Sequence, residues 1–84
     1  MKIFLSSRAD RQLKKLPRKM HQLLIDKIEK LADDPFPANA RKLEARDGWR
    51  IRVGDYRILY TVDLKKKELI ILSVAHRKDA YRLL

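Results

Sequence analysis

The sequence predicts an α+β domain in which an N-terminal strand and an antiparallel two-helix hairpin precede a three-stranded antiparallel sheet. Three observations support this prediction. Apolar residues recur with helical spacing within residues 8–32, alternation with period two begins at Trp49, and an apolar run extends from Leu69 to Ala75. The 84 residues are enough for one domain, 1–84, with a single core.

The first half of the chain predicts one strand and two helices. Lys2 to Leu5 is short and apolar and is predicted to be the first strand. Ser6 or Ser7 can cap the helix that follows, because a serine hydroxyl accepts hydrogen bonds from the first turn. Pro17 ends that helix and suits the start of the next, predicted over residues 18–32. The predicted buried faces comprise Ala9, Leu13 and Leu16, then Met20, Leu24, Ile28 and Leu31, with Leu23 widening the second.

A proline-containing segment, residues 33–37, stops the second helix and begins a connection of about a dozen residues, which is long for a small domain. Leu43 is predicted to anchor this connection on the core. Arg41, Lys42 and Arg46 add positive charge beside the strand that follows. Because long ordered loops often carry functional residues, we expect this connection to contribute to a binding site.

The segment from Gly48 to Tyr60 predicts a tight hairpin. Gly54-Asp55 is a two-residue link between alternating strands, the pattern that closes such a turn. Because the turn length fixes the pairing of every residue beyond it, the register can be written from the sequence. The predicted pairs are Val53 with Tyr56, Arg52 with Arg57, Ile51 with Ile58, Arg50 with Leu59 and Trp49 with Tyr60.

One face of this hairpin is predicted to be apolar and to pack on the helices, and the other carries Arg50, Arg52 and Arg57. Like charges directly opposite one another destabilise a sheet, so an anionic ligand would relieve this arrangement. Guanidinium groups bind two phosphate oxygens at once through their planar fork. We therefore expect a phosphate group on the open face.

The end of the chain predicts a strand followed by polar residues suited to chemistry. Leu69 to Ala75 is nearly continuously apolar, which is typical of a central strand covered on both faces. His76 follows, and an unperturbed histidine pKa of about 6.5 suits proton transfer near neutral pH. Arg77 could add a cation, and Tyr81 could stack on an unstacked RNA base.

Charge and composition narrow the function classes. The net charge of +10 points to a polyanionic partner, with nucleic acid the first candidate and an acidic protein the second. The chain has no cysteine and no cluster of carboxylates or histidines with ligand spacing, so we expect neither a metal site nor a cofactor. With no signal-peptide pattern or membrane-spanning run, a cytoplasmic location is expected.

The segments GWRIRVGDYRILY and SVAHRKDAYR, with the order of elements, resemble the RelE/ParE superfamily of toxins from bacterial and archaeal type II toxin–antitoxin systems. RelE-like members are ribosome-dependent endoribonucleases that cut mRNA in the A site, and ParE-like members poison DNA gyrase. The resemblance implies a RelE-like fold and an acidic, RelB-like antitoxin that holds the toxin inactive. It also implies that the ribosome and mRNA are targets.

The resemblance places Arg57 on the phosphate-contacting arginine of the family, and Arg77 and Tyr81 on an arginine and a tyrosine of its terminal element. Arg50 and Arg52 stand where RelE has lysines. Because arginine is very hard to deprotonate, the general base stays open. We expect catalytic roles for Arg57, His76, Arg77 and Tyr81, and phosphate or RNA binding by Lys42, Arg46, Arg50 and Arg52. A gyrase inhibitor and a catalytically silent binding module are the alternatives.

Overall fold

The computed structural model describes the backbone of residues 1–80 and the side chains of residues 1–78. In chain order its elements are β1 (Lys2–Leu5), α1 (Ser7–Lys14), α2 (Arg18–Asp33), β2 (Arg41–Lys42), β3 (Trp49–Val53), β4 (Tyr56–Asp63), β5 (Glu68–His76) and α3 (Arg77–Ala80). Five strands form one mixed sheet in the order β1-β5-β4-β3-β2. The predicted α+β class and the pair of helices are confirmed.

The predicted three-stranded antiparallel sheet is wrong in two respects. The first strand, β1, belongs to the same sheet and pairs in parallel with β5, from Lys2 opposite Glu68 to Leu5 opposite Ile71. A further edge strand, β2, pairs antiparallel with β3. Strands of four and two residues carry too little periodicity to reveal their partners in the sequence.

Of the two serines predicted as possible caps of α1, Ser6 is the N-cap, and it also connects the helix to the sheet. Its Oγ accepts a hydrogen bond from the Ala9 N–H at 3.0 Å and donates to the Leu72 carbonyl at 2.7 Å. Farther along α1, Gln12 Oε1 accepts a hydrogen bond from the Val74 N–H at 2.6 Å. The β4–β5 register shifts beside Leu72, so these side chains pair backbone groups at a β-bulge.

The core lies between the helices and one face of the sheet. Leu23, predicted at the margin of the buried stripe, is instead 41% exposed. β5 lies inside the sheet, but Ile70 is 40% exposed, so this strand is not covered on both faces as predicted. No helix in the described part of the chain has the length and apolarity to cross a bilayer. The buried cluster comprises Ala9, Leu13, Leu24, Ile28, Leu31, Ile51, Val53, Ile58, Tyr60, Leu69, Ile71 and Val74.

The connection between α2 and β2 is fastened to the sheet at two points. Tyr60 is fully buried, and its hydroxyl donates to the Pro35 carbonyl at 2.7 Å. The ring of Phe36 packs on Trp49 with ring centres 4.8 Å apart. Burial, together with the negative charge of Asp34, raises the pKa of Tyr60 to about 12. The folded state therefore holds this hydroxyl in its neutral, donating form.

Replacing Tyr60 by phenylalanine is expected to lower the free energy of unfolding by about 0.5–1.5 kcal/mol at neutral pH, because one buried hydrogen bond is lost. In the wild type the unfolded state releases the Tyr60 proton near pH 10 and the folded state near pH 12, so the tyrosine's contribution falls as the pH rises through this window. Urea titrations from pH 8 to 12 should show the free energies of unfolding of the wild type and Tyr60→Phe converging. Tyr56→Phe is the control, and a constant difference across the window would contradict the assignment.

Candidate functional site

The hairpin of β3 and β4 has the register that the sequence predicts, pair for pair from Val53–Tyr56 to Trp49–Tyr60. Gly54 lies at φ 60°, the left-handed conformation that a tight two-residue turn requires and glycine adopts at low cost. Side chains alternate between faces along each strand. Arg52 and Arg57 are therefore neighbours on the face opposite the helix-packed core, and their predicted juxtaposition is confirmed.

Four arginines border one shallow depression on this face, which we call the arginine depression. Its volume is about 320 Å³. Arg50 and Arg57 are half-buried, whereas Arg41 and Arg52 are exposed. The lining residues are Asn39, Arg41, Arg50, Ile51, Arg52 and Arg57.

Two polar residues of this lining, Asn39 and Arg41, were not predicted as site residues. Arg41 is the cross-strand partner of Arg50, and its Nη1 donates to the Ala38 and Ala40 carbonyls at 3.0 and 2.9 Å. Asn39 Nδ2 donates to the Arg52 carbonyl at 3.4 Å. The sequence shows the charge of Arg41 but no alternation over a two-residue strand, so it carries no signal for this pairing.

The structure does not bring His76 into the arginine depression. Its strand partner is Tyr56, and the two rings meet edge to face with centres 5.5 Å apart. Because paired residues share a face, His76 lies on the side of Tyr56, opposite the side of Arg57. Its Nδ1 accepts a hydrogen bond from the Lys78 N–H at 3.3 Å.

The other predicted residues that the structure describes, Lys42, Arg46 and Arg77, are not among those that line the depression. The Arg77 N–H donates to the Asp55 carbonyl at 2.6 Å, which fastens the start of α3 to the hairpin turn, and the Arg77 side chain is exposed. Lys42 lines a neighbouring depression of about 290 Å³ together with Arg50. Arg46 is exposed in the loop between β2 and β3. Tyr81 lies outside the described residues.

The arginine depression can bind an anion, because its lining carries four guanidinium groups and neither a carboxylate nor an imidazole. The side-chain ion pair recorded among the described residues joins Lys14 to Asp10 on α1, so no described carboxylate neutralises Arg41, Arg50 or Arg52. Guanidinium groups donate hydrogen bonds and do not release protons at physiological pH. The depression can therefore hold a phosphate and stabilise added negative charge, while a proton acceptor has to come from elsewhere.

Comparisons with known proteins agree with the fold. A family model described as ParE toxin of type II toxin–antitoxin system, parDE, matches residues 3–81. A comparison with curated protein sequences gave no match.

Several solved structures are similar over most of their length. The RelE–RelB complex from Pyrococcus horikoshii is 28% identical, with a TM-score of 0.81, 90% of this chain covered and 93% of that chain. The RelBE2 toxin–antitoxin complex from Mycobacterium tuberculosis is 26% identical, with a TM-score of 0.80, and 90% of this chain and 96% of that chain are covered. The RelBE complex from E. coli is 25% identical, with a TM-score of 0.77, and 89% of this chain and 94% of that chain are covered. Because the family model spans nearly the whole chain, this protein belongs to the ParE toxin family, within the RelE/ParE superfamily of type II toxin–antitoxin toxins.

Proposed function

We propose that this toxin is a metal-independent endoribonuclease that cleaves mRNA in the ribosomal A site and so inhibits translation. In the proposed reaction the 2′-hydroxyl attacks the adjacent phosphate, and the bond to the leaving 5′ oxygen breaks. The single observation that carries the proposal is the cross-strand pair of Arg52 and Arg57 on the open face, joined by Arg50. Such a cluster supplies the donors that a pentacoordinate phosphorane, with its additional negative charge, requires.

The proposed roles follow from position. Arg57 contacts the scissile phosphate and stabilises the transition state, Arg52 opposite it holds the oxygens of that phosphate, and Arg50 binds the RNA backbone beside it. Lys42 on β2 and Arg46 in the loop after it are exposed and bind flanking RNA. Arg77 approaches from the terminal element, whose first N–H is bonded to the hairpin turn.

The proposed roles of Tyr81 and His76 come from the resemblance to the superfamily. Tyr81 is proposed to stack on a base and orient the attacking ribose. His76 is proposed as a proton carrier because some relatives use a histidine at this element. The histidine assignment makes a direct prediction: His76→Gln should reduce cleavage without changing RNA binding, and full activity of this variant would exclude the role.

A cognate RelB-like antitoxin is the proposed protein partner. The similar structures from P. horikoshii, M. tuberculosis and E. coli are toxin–antitoxin complexes. The net charge of +10 favours an antitoxin with an acidic surface, which would steer association and compete with RNA for the arginine face.

Primer extension on an mRNA incubated with purified toxin, with and without ribosomes, tests the reaction class. The expected result is cleavage that requires ribosomes and falls in register with codons. Cleavage of naked RNA at equal rates would contradict the ribosome dependence, and no cleavage under either condition would contradict the nuclease assignment.

DNA gyrase inhibition is the second candidate, and the match to a ParE toxin model is the observation that favours it. The two activities differ in what fails first when the toxin is expressed without its antitoxin. A ribonuclease stops protein synthesis at once, whereas a gyrase poison breaks DNA and induces its repair. Normal growth with tight antitoxin binding would instead indicate a catalytically silent binding module.

A further inference from the structure

The arginines of the depression form two cross-strand pairs at different levels of the sheet. Arg52 lies opposite Arg57 on β3 and β4, and Arg50 lies opposite Arg41 on β3 and β2. All four line the same depression. The cations therefore follow a diagonal path from β4 to the β2 edge rather than surrounding one point.

The spacing of the two pairs matches the repeat of a nucleic-acid backbone. Arg50 and Arg52 are two residues apart on β3, which corresponds to about 6.6 Å along the strand. Successive phosphorus atoms of an extended RNA strand are joined by six single bonds, which span a similar length. One pair can thus contact a phosphate while the other contacts the next phosphate along the strand.

Two hydrogen bonds to the backbone already orient the guanidinium group of Arg41. Both hydrogens of its Nη1 are directed to backbone carbonyls, those of Ala38 and Ala40, at 3.0 and 2.9 Å. A guanidinium group has five N–H donors, so the Nη2 and Nε groups can still bind an anion. Because the guanidinium is already oriented, little side-chain entropy is lost on binding.

We propose that Arg41 and Arg50 form a second phosphate site, which binds the phosphate adjacent to the one held by Arg52 and Arg57. The inference rests on the proposed function in taking single-stranded RNA as the ligand. It adds Arg41 to the RNA-binding residues and defines the minimal ligand as two consecutive phosphates.

The path ends beyond Arg50. Glu44 lines the next depression together with Lys42 and Arg50, so its carboxylate offsets part of the positive charge that flanking RNA would meet there. A third phosphate is therefore expected to add less affinity than the second, which sets an upper as well as a lower limit on the length of the ligand.

A series of short RNAs of increasing length tests both limits on the number of bound phosphates. Oligonucleotides with one, two or three internucleotide phosphates, 2′-O-methylated to prevent cleavage, compete with a fluorescein-labelled RNA in an anisotropy assay at low salt. Affinity should rise about tenfold from one phosphate to two, as expected for a new contact between charged groups, and less than about threefold from two to three. A neutral methylphosphonate at either linkage of the two-phosphate RNA should remove the tenfold step while keeping the bases.

The Arg41→Ala variant should lose the tenfold rise in affinity from one phosphate to two. The magnitude of its slope of log K against log salt should be lower by about 0.7, the value for one phosphate of a single strand. Arg41→Lys, which keeps the charge but not the two-carbonyl anchor, should restore the salt slope and only part of the step. Arg18→Ala, an exposed arginine at the start of α2, removes the same charge and should leave the step intact.

Three results would overturn the second site: a tenfold rise that survives in Arg41→Ala, no rise in the wild type, or equal competition by a longer duplex DNA at the same concentration of phosphates. These outcomes are separable from failure of the nuclease assignment. A step that persists in a toxin without ribosome-dependent cleavage contradicts only the proposed reaction. Cleavage without the step contradicts only the second site.

Discussion

Replacing Arg57 by alanine is expected to lower the rate of ribosome-dependent cleavage by about 10²–10³-fold, the range found when one donor to a transition-state oxyanion is removed. Arg57 is half-buried opposite Arg52. At this position its guanidinium can donate hydrogen bonds to the phosphate in the ground state and to the phosphorane that forms from it. The loss should appear in the single-turnover rate at saturating toxin, with a smaller change in the concentration for half-saturation. Quantitative primer extension on a defined ribosome–mRNA complex provides both values.

The controls separate a catalytic effect from an unfolded protein or a lost charge. Arg57→Ala should leave the free energy of unfolding within about 1 kcal/mol of wild type, because it also removes a like-charge contact. Arg8→Ala removes an exposed arginine on α1 and should cleave normally. Full toxicity of Arg57→Ala in cells lacking the antitoxin would show that the reaction does not use this residue.

Replacing Gly48 by alanine is expected to lower the free energy of unfolding by about 3 kcal/mol, the upper end of the range for a strained backbone. Gly48 has φ 134°, and a Cβ placed there would lie 3.0 Å from the Tyr60 carbonyl oxygen and 3.1 Å from Leu43 Cδ1. The carbonyl belongs to the central strand β4, so it cannot move aside as a side chain can. For a domain of this size the loss corresponds to a fall in Tm of roughly 12–24 °C, which thermal denaturation can measure.

Gly54→Ala is the matched comparison for this loss. Gly54 also has a positive φ, 60°, but nothing lies within 4 Å of an added Cβ. Its replacement should cost about 1–2 kcal/mol from backbone conformation alone. Equal losses at the two glycines would show that the close approach to Tyr60 is not rigid.

The carbonyl of Gly48 also accepts a hydrogen bond from the Leu43 N–H at 3.0 Å. Gly48→Ala should therefore displace β2 and Arg41 and weaken RNA binding.

The part of the site that lies on the hairpin could be predicted because its geometry is local. A two-residue Gly-Asp turn and period-two alternation fix every pair from Val53–Tyr56 to Trp49–Tyr60, and hence the meeting of Arg52 with Arg57. The helices were similarly predictable from Ser6, Pro17 and apolar residues at helical spacing. These features depend on residues close together in the chain.

The sequence by itself thus determined the fold class, the hairpin register, the basic face and the resemblance to the superfamily that the family model supports. Only the tertiary structure decided that β1 joins β5 in parallel, that Arg41 pairs with Arg50, and that His76 turns toward Tyr56. The first two are pairings between short segments separated by other elements, and the third is set by where β5 aligns on β4. The free energy of such arrangements comes from packing the shared core, which no local pattern of residues encodes.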